Sequence, residues 1–160
     1  MQKATEQEAL TLLDQSGIKY QRIEHPAIWS MDDPNAPKNL PKVKNLLLKK
    51  KNGSKFYLYL TNNTRVDFKE LAESLKISRS QLVFSSETEL ENLLGLVSGM
   101  VTPLSLMHDV EKKVQVLINH DLKNLPLLAV HPNTNRATIL LTWTDLLKLL
   151  RQMGYEAKIV

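Results

Sequence analysis

VKNLLLKKKNGSKFYLYLT, residues 43–61, is the stretch on which the fold class turns. Two β-prone runs flank Asn52-Gly53, the pair favoured where both central turn residues take positive φ, so the reading is a hairpin near 43–50 and 55–61. Its first strand holds an odd residue. Strand alternation puts Lys44 on one face with Leu46 and Leu48, which buries its stem, and an ammonium at a half-buried strand start calls for an anionic or carbonyl partner. The plainer alternative is a lysine that snorkels to solvent at a sheet edge, and the residues alone favour it.

Working outward, helix and strand signals alternate without a βαβ period. Thr5 and Glu8 have capping-box spacing, Ala9, Leu10, Leu12 and Leu13 give an apolar face, and Gly17 can close that helix. IKYQRIEH alternates like a strand, and Pro26, Pro34, Pro37 and Pro41 then impose an extended loop over 26–41. After the hairpin come a helix in VDFKELAESLKI, a strand in QLVF, and a short helix capped by Ser86 with Glu89 and stopped at Gly95. KVQVLIN and LPLLAV read as strands, and RATILLT pairs back on the latter across HPNTN. Thr142 or Thr144 caps a last helix that carries Trp143, Leu146, Leu147 and Leu150, and YEAKIV is a last edge strand. The expectation is one domain over residues 1–160, of the α+β class, with a mostly antiparallel or mixed sheet.

Composition narrows the function. A hydrophobic share of 42% with 24% charged residues is that of a globular protein. No apolar run nears the roughly 20 residues of a membrane span, and the polar N-terminus is unlike a signal peptide, so a cytoplasmic protein is expected. The absence of cysteine removes disulfides, thiolate nucleophiles and thiolate metal ligands together. The net charge of +4 is mild, but Lys38 to Lys55 holds seven lysines and no acid. Such a run is either a solvated hairpin or a phosphate-attracting edge beside a cleft, and salt dependence separates the two.

His25, His108, His120 and His131 lie far apart and lack the spacing of a zinc site, so no catalytic metal and no cofactor is expected. GxSxG, GxxxxGK[ST] and GxGxxG are also missing, which removes α/β-hydrolase, P-loop and dinucleotide chemistry. Three polar places remain: Lys44, the turn Gly99-Met100-Val101-Thr102-Pro103, and the loop at His131. On the residues alone, Gly99 is a turn glycine and His131 a structural histidine before a bend.

Taken in order, VKNLLLKKKNG, RVDFKELAESL, LGLVSGMVTPLSL and HPNTNRATILLTWTDLLKLL resemble the successive motifs of the YbaK/prolyl-tRNA synthetase-associated family of editing domains, over roughly residues 5–158. The resemblance implies a mixed, barrel-like sheet flanked by helices. It also implies hydrolysis of the ester that joins a wrong amino acid to the terminal adenosine of tRNA(Pro), with the tRNA acceptor end and prolyl-tRNA synthetase as partners. The family's lysine falls on Lys44. Its G-x-V-T-P turn falls on Gly99, Val101, Thr102 and Pro103, and its small-x-His-Pro loop on Ala129, His131 and Pro132. Lys44-Asn45 is closer to the alanyl-specific branch than to the cysteinyl-specific one, and Asn45 joins the pocket. Lys42, Lys49, Lys50 and Lys51 become the tRNA-binding set. Two features depart from the pattern: Ala129 stands where many members have glycine, and the segment before the lysine strand is proline-rich.

An aminoacyl ester is already activated. A site for its hydrolysis has chiefly to position water and stabilise charge on the carbonyl oxygen, which N–H groups and one cation can do without a covalent nucleophile. What the resemblance implies is release of alanine from tRNA(Pro) as the leading expectation, with release of cysteine, or a non-catalytic tRNA- or synthetase-binding module, as the alternatives.

Overall fold

The computed structural model describes residues 3–29, 33–63 and 65–160. In chain order the elements are α1 (Glu6–Ser16), β1 (Gln21–Glu24), β2 (Lys44–Lys50), β3 (Phe56–Thr61), α2 (Phe68–Ser74), β4 (Leu82–Phe84), α3 (Glu87–Leu94), β5 (Val114–Ile118), β6 (Leu128–Val130), β7 (Ala137–Leu141), α4 (Trp143–Gln152) and β8 (Lys158–Ile159). Three short 3-10 turns, at Arg79–Gln81, Pro103–His108 and His120–Asn124, join them.

The strands form two sheets, one of five strands in the order β4-β2-β3-β5-β8 and one of three in the order β1-β7-β6. β2 pairs antiparallel with β3 and β4, while β5 runs parallel to β3 and to β8. The fold is therefore α+β and the pairing mixed but mostly antiparallel. The barrel-like closure expected from the resemblance is not found, because neither sheet closes and each ends in edge strands. Two open sheets packed over a shared core are the alternative to a barrel for burying the same alternating faces.

Alternation along the five-stranded sheet decides what lies on each side. Leu47, Leu58, Leu60, Val116 and Ile118 join the main core with Ile139 and Leu141 of the small sheet and Leu146, Leu149 and Leu150 of α4. Leu48, Tyr57, Tyr59 and Leu117 face the opposite way and pack under Leu71 and Ala72 of α2. β2 thus sends successive residues to different layers, and its first two residues, Lys44 and Asn45, inherit that division.

Local signals set most element ends. Ser86 and Glu89 complete a capping box at α3 and Gly95 closes it in the left-handed region, while Thr142 caps α4 by accepting the Asp145 N–H. Two expectations are corrected. Neither Asn52 nor Gly53 takes positive φ. The Lys51 N–H is still engaged by the Gln81 carbonyl at 2.7 Å, so the hairpin closes one residue pair earlier, Lys50 N–H to Lys55 C=O at 3.2 Å, around a longer loop. At α1, Thr5 accepts the Glu8 N–H, but the Glu8 carboxylate turns to His108 at 2.7 Å instead of completing the box.

Candidate functional site

A cavity of about 710 Å³ opens where β2 runs past the end of β4, a size suited to a small ligand or the end of a larger one. β4 meets β2 only at Leu48 to Lys50, and the Ser85 N–H makes one further bond to the Leu47 carbonyl. The start of β2 is therefore left as an open edge. Lys44, Asn45, Leu46 and Leu47 line the cavity there.

Two turns supply the facing wall. Gly99, at φ 85°, follows α3 in a tight turn closed by the Met100 N–H to the Val97 carbonyl at 3.1 Å. β6 ends at Val130, and the chain then passes through His131 and Pro132 to Asn133, which takes φ 60°. Thr102 ties the turns together, donating its hydroxyl to the His131 carbonyl at 2.6 Å and accepting the Leu104 N–H at 3.2 Å. The Asn133 amide fixes the far end of the loop by donating to the Thr5 carbonyl at 2.9 Å.

The residues expected at the site divide accordingly. Lys42, Lys44, Asn45, Gly99, Val101, Ala129 and His131 line one cavity. Thr102, Pro103 and Pro132 are buried behind it and brace the wall. Lys49 is paired to Glu89 at 2.6 Å, a contact that holds the Glu89 carboxyl below its ordinary range, and Lys50 and Lys51 are exposed at the hairpin tip.

Polar groups in this wall are left incomplete. The described residues offer the half-buried Lys44 ammonium no hydrogen-bond or ion-pair partner. Asn45 Oδ1 and His131 Nδ1 are both buried without a hydrogen-bond partner. Burial lowers the His131 pKa, the Ala137 carbonyl partly opposes that, and nearby His25 adds to the lowering, so the ring is held neutral. Unpaired buried polar atoms cost on the order of 1–3 kcal/mol each and are uncommon in a finished core. Two of the four such atoms found among the described residues, the others being Asn62 Oδ1 and Asn133 Oδ1, belong to residues that line the cavity with the half-buried Lys44.

Several lining residues were not legible in the sequence. His25 lies behind the cavity. Its Nδ1 is 2.8 Å from the Pro26 carbonyl, which can only accept, so Nδ1 carries a proton, and its Nε2 lies 2.8 Å from the Thr138 hydroxyl. Thr138 lines the cavity, as do Trp29 and Phe84 at its mouth. For His25 and His131, 106 positions apart in the sequence, pairing of β1 and β6 with β7 is what brings them together, and no local pattern records it. Among the described residues no group of three or more His, Cys, Asp or Glu could hold a metal ion.

An open-edged lysine strand, a glycine turn and a His-Pro loop surround one cavity, and the family model for the aminoacyl-tRNA editing domain matches residues 35–149. The chain belongs to that family, whose reaction class is hydrolysis of the aminoacyl-tRNA ester, and it is an aminoacyl-tRNA deacylase. Among its relatives, the prolyl-tRNA editing protein ProX of Acetoanaerobium sticklandii is 31% identical, covering 100% of this chain and 99% of the relative. A prolyl-tRNA synthetase associated domain-containing protein 1 from Danio rerio is 29% identical, over 86% of this chain and 77% of the relative. The crystal structure of a proposed trans-editing enzyme for prolyl tRNA synthetase superposes with a TM-score of 0.72 at 20% identity, over 99% of this chain and 98% of that one, and shows the shared fold.

Proposed function

We propose that this protein acts in trans on mischarged tRNA(Pro) and that the amino acid it removes is alanine. The observation that carries the proposal is that Lys44, Asn45, Gly99 and His131 line one cavity. The full-length likeness to a prolyl-tRNA editing protein supports tRNA(Pro) as the carrier. Lys44-Asn45, the pair that resembles the alanyl-specific branch, supports alanine.

In this reading the 3′ end of tRNA enters the cavity with its ester carbonyl near Lys44. A water oxygen attacks the carbonyl carbon, and the Lys44 ammonium and backbone N–H groups of the Gly99 turn take the developing negative charge. The ribose oxygen leaves with a proton, giving free amino acid and intact tRNA. Asn45 and the neutral His131 offer polar partners to the amino acid's ammonium and the ribose hydroxyls. Val101 and Ala129 bound the side-chain space, and Thr102, Pro103 and Pro132 hold the two turns in register. Lys42, Lys49, Lys50 and Lys51 attract the acceptor-stem phosphates, Lys49 while paired to Glu89. A prolyl-tRNA synthetase is the partner that would supply mischarged tRNA, and the cytoplasm is the compartment where this takes place.

Incubating the protein with alanyl-, cysteinyl- and prolyl-tRNA(Pro) tests the reading. Rapid loss of alanine, with proline retained, is expected. Preferential loss of cysteine would move the specificity to the other branch, and uncatalysed decay of all three esters would leave a tRNA-binding module.

A further inference from the structure

Trp29 and Phe84 line the cavity mouth and are 67% and 59% exposed. They are two of the five large apolar side chains exposed among the described residues, and Val97, Val110 and Ile159 do not line the cavity. Two exposed aromatic rings at the opening of one cavity mark a binding site.

Phe84 packs against two neighbouring elements. β4 pairs it with Leu48, and its ring meets that of Phe68 edge-on, with centroids 5.5 Å apart and planes at 69°. The Arg79 guanidinium lies 5.1 Å from the Phe68 centroid and backs the pair. The Trp29 N–H donates to the Asp33 carboxylate at 3.1 Å, and the Trp29 carbonyl would lie 3.6 Å from a Cβ placed on Gly99. The Trp29 backbone is thus fixed beside Asp33 and Gly99, and the Phe84 ring against Phe68.

Charge at the opening selects the occupant. Exposed Lys38 and Lys42 line it with Lys44, against Asp33 as the one carboxylate among the described lining residues. Exposed aromatic faces beside cations suit a single nucleic-acid strand, whose bases stack and whose phosphates pair, better than an apolar peptide or a lipid.

We propose that Phe84 and Trp29 are stacking platforms for unpaired bases of the tRNA 3′ end, with Lys38 and Lys42 on the intervening phosphates. This rests on the editing reading and extends it: the mouth grips the strand by its bases, and that grip sets the reach at which the ester meets Lys44.

Binding of uncharged RNA tests this apart from any hydrolysis. The chain has two tryptophans, Trp29 and Trp143, so Trp143→Phe leaves Trp29 as the sole emitter. Its emission should fall on addition of a CCA trinucleotide and stay unchanged with inorganic phosphate. Phe84→Ala should weaken binding of a CCA-ended RNA hairpin by roughly tenfold, the scale of one lost base stack, while Phe84→Trp should retain it. An RNA with abasic sites at its last two positions should bind the unmodified protein no more tightly than the intact RNA binds Phe84→Ala. Equal affinity of Phe84→Ala and the unmodified protein, or Trp29 emission unmoved at saturating trinucleotide, would overturn the proposal. A protein that passes these tests yet releases no amino acid would refute the editing reading and leave the stacking assignment standing.

Discussion

The cluster around Asp109 and the cavity around Lys44 both bury polar groups, and they treat them in opposite ways. Asp109 is 2% exposed, and its oxygens accept the Lys113 N–H at 2.9 Å, the Val114 N–H at 2.9 Å and the Tyr155 hydroxyl at 2.8 Å. Burial and the Asp109 carboxylate push the Tyr155 phenol up, and the Lys112 ammonium sits 4.2 Å from the Tyr155 ring centroid while donating to the Met153 carbonyl. Each buried charge there has its partners. At the cavity, Asn45 Oδ1 and His131 Nδ1 have none. A satisfied cluster fixes the start of β5 and the end of α4. An unsatisfied one lowers stability unless a ligand completes it, which is the difference the proposed site requires.

The largest expected effect breaks the second region alone. Lys44→Ala should lower kcat/KM for alanyl-tRNA(Pro) by about 10²–10³, the scale of a lost oxyanion partner, without lowering Tm. Lys44→Arg should not restore it, since a planar fork does not replace a compact charge at fixed reach. Next in size is the reverse break. Asp109→Asn turns an amide N–H toward groups that donate, costing about 2–3 kcal/mol, or roughly 4–12 °C in Tm for a chain of this size, and leaves turnover of the folded enzyme unchanged. Thermal unfolding beside initial rates checks both.

A third substitution sharpens the comparison because it touches site and backbone together. Gly99 lies at φ 85°, and a Cβ there meets only the Trp29 carbonyl at an ordinary 3.6 Å. Gly99→Ala should therefore cost about 1–2 kcal/mol through left-handed strain rather than collision, and lower turnover by displacing the wall. Unfolding and single-turnover rates read the two parts separately. The smallest effect is on pH. Burial lowers the folded pKa of His131 below its unfolded value near 6.5. The unfolded chain then binds the proton more readily, so this residue's contribution is full above about pH 6.5 and is lost as pH falls from there toward the folded pKa. His131→Gln should show a smaller drop in Tm between pH 7.5 and 5.5 than the unmodified protein.

What the sequence made legible was local. The hairpin at 43–61, the Ser86 and Thr142 caps and the Gly17 and Gly95 stops each depend on residues a few positions apart, and the structure contains them. Competition from distant partners hid the rest. Gln81 holds Lys51 and displaces the turn expected at Asn52-Gly53, and His108 takes the carboxylate expected to cap α1. Division of the strands into two open sheets depends on long-range pairing that alternation along one strand does not encode. Lys44, Gly99 and His131 were visible through the order of motifs. Thr138, Trp29 and Phe84 were not, because nothing near them in the chain marks the cavity they share.

The most direct test of the central claim sets the two ends of β2 against each other, Lys44 in the cavity and Lys50 exposed near the hairpin tip. Single-turnover release of alanine from tRNA(Pro) is measured at saturating enzyme for the unmodified protein, Lys44→Ala and Lys50→Ala, with circular dichroism to establish that all three are folded. Saturation removes differences in tRNA affinity. Loss of nearly all the rate in Lys44→Ala, with Lys50→Ala close to unmodified, is the predicted result. Equal rates in all three would contradict it and return Lys44 to the solvated lysine run.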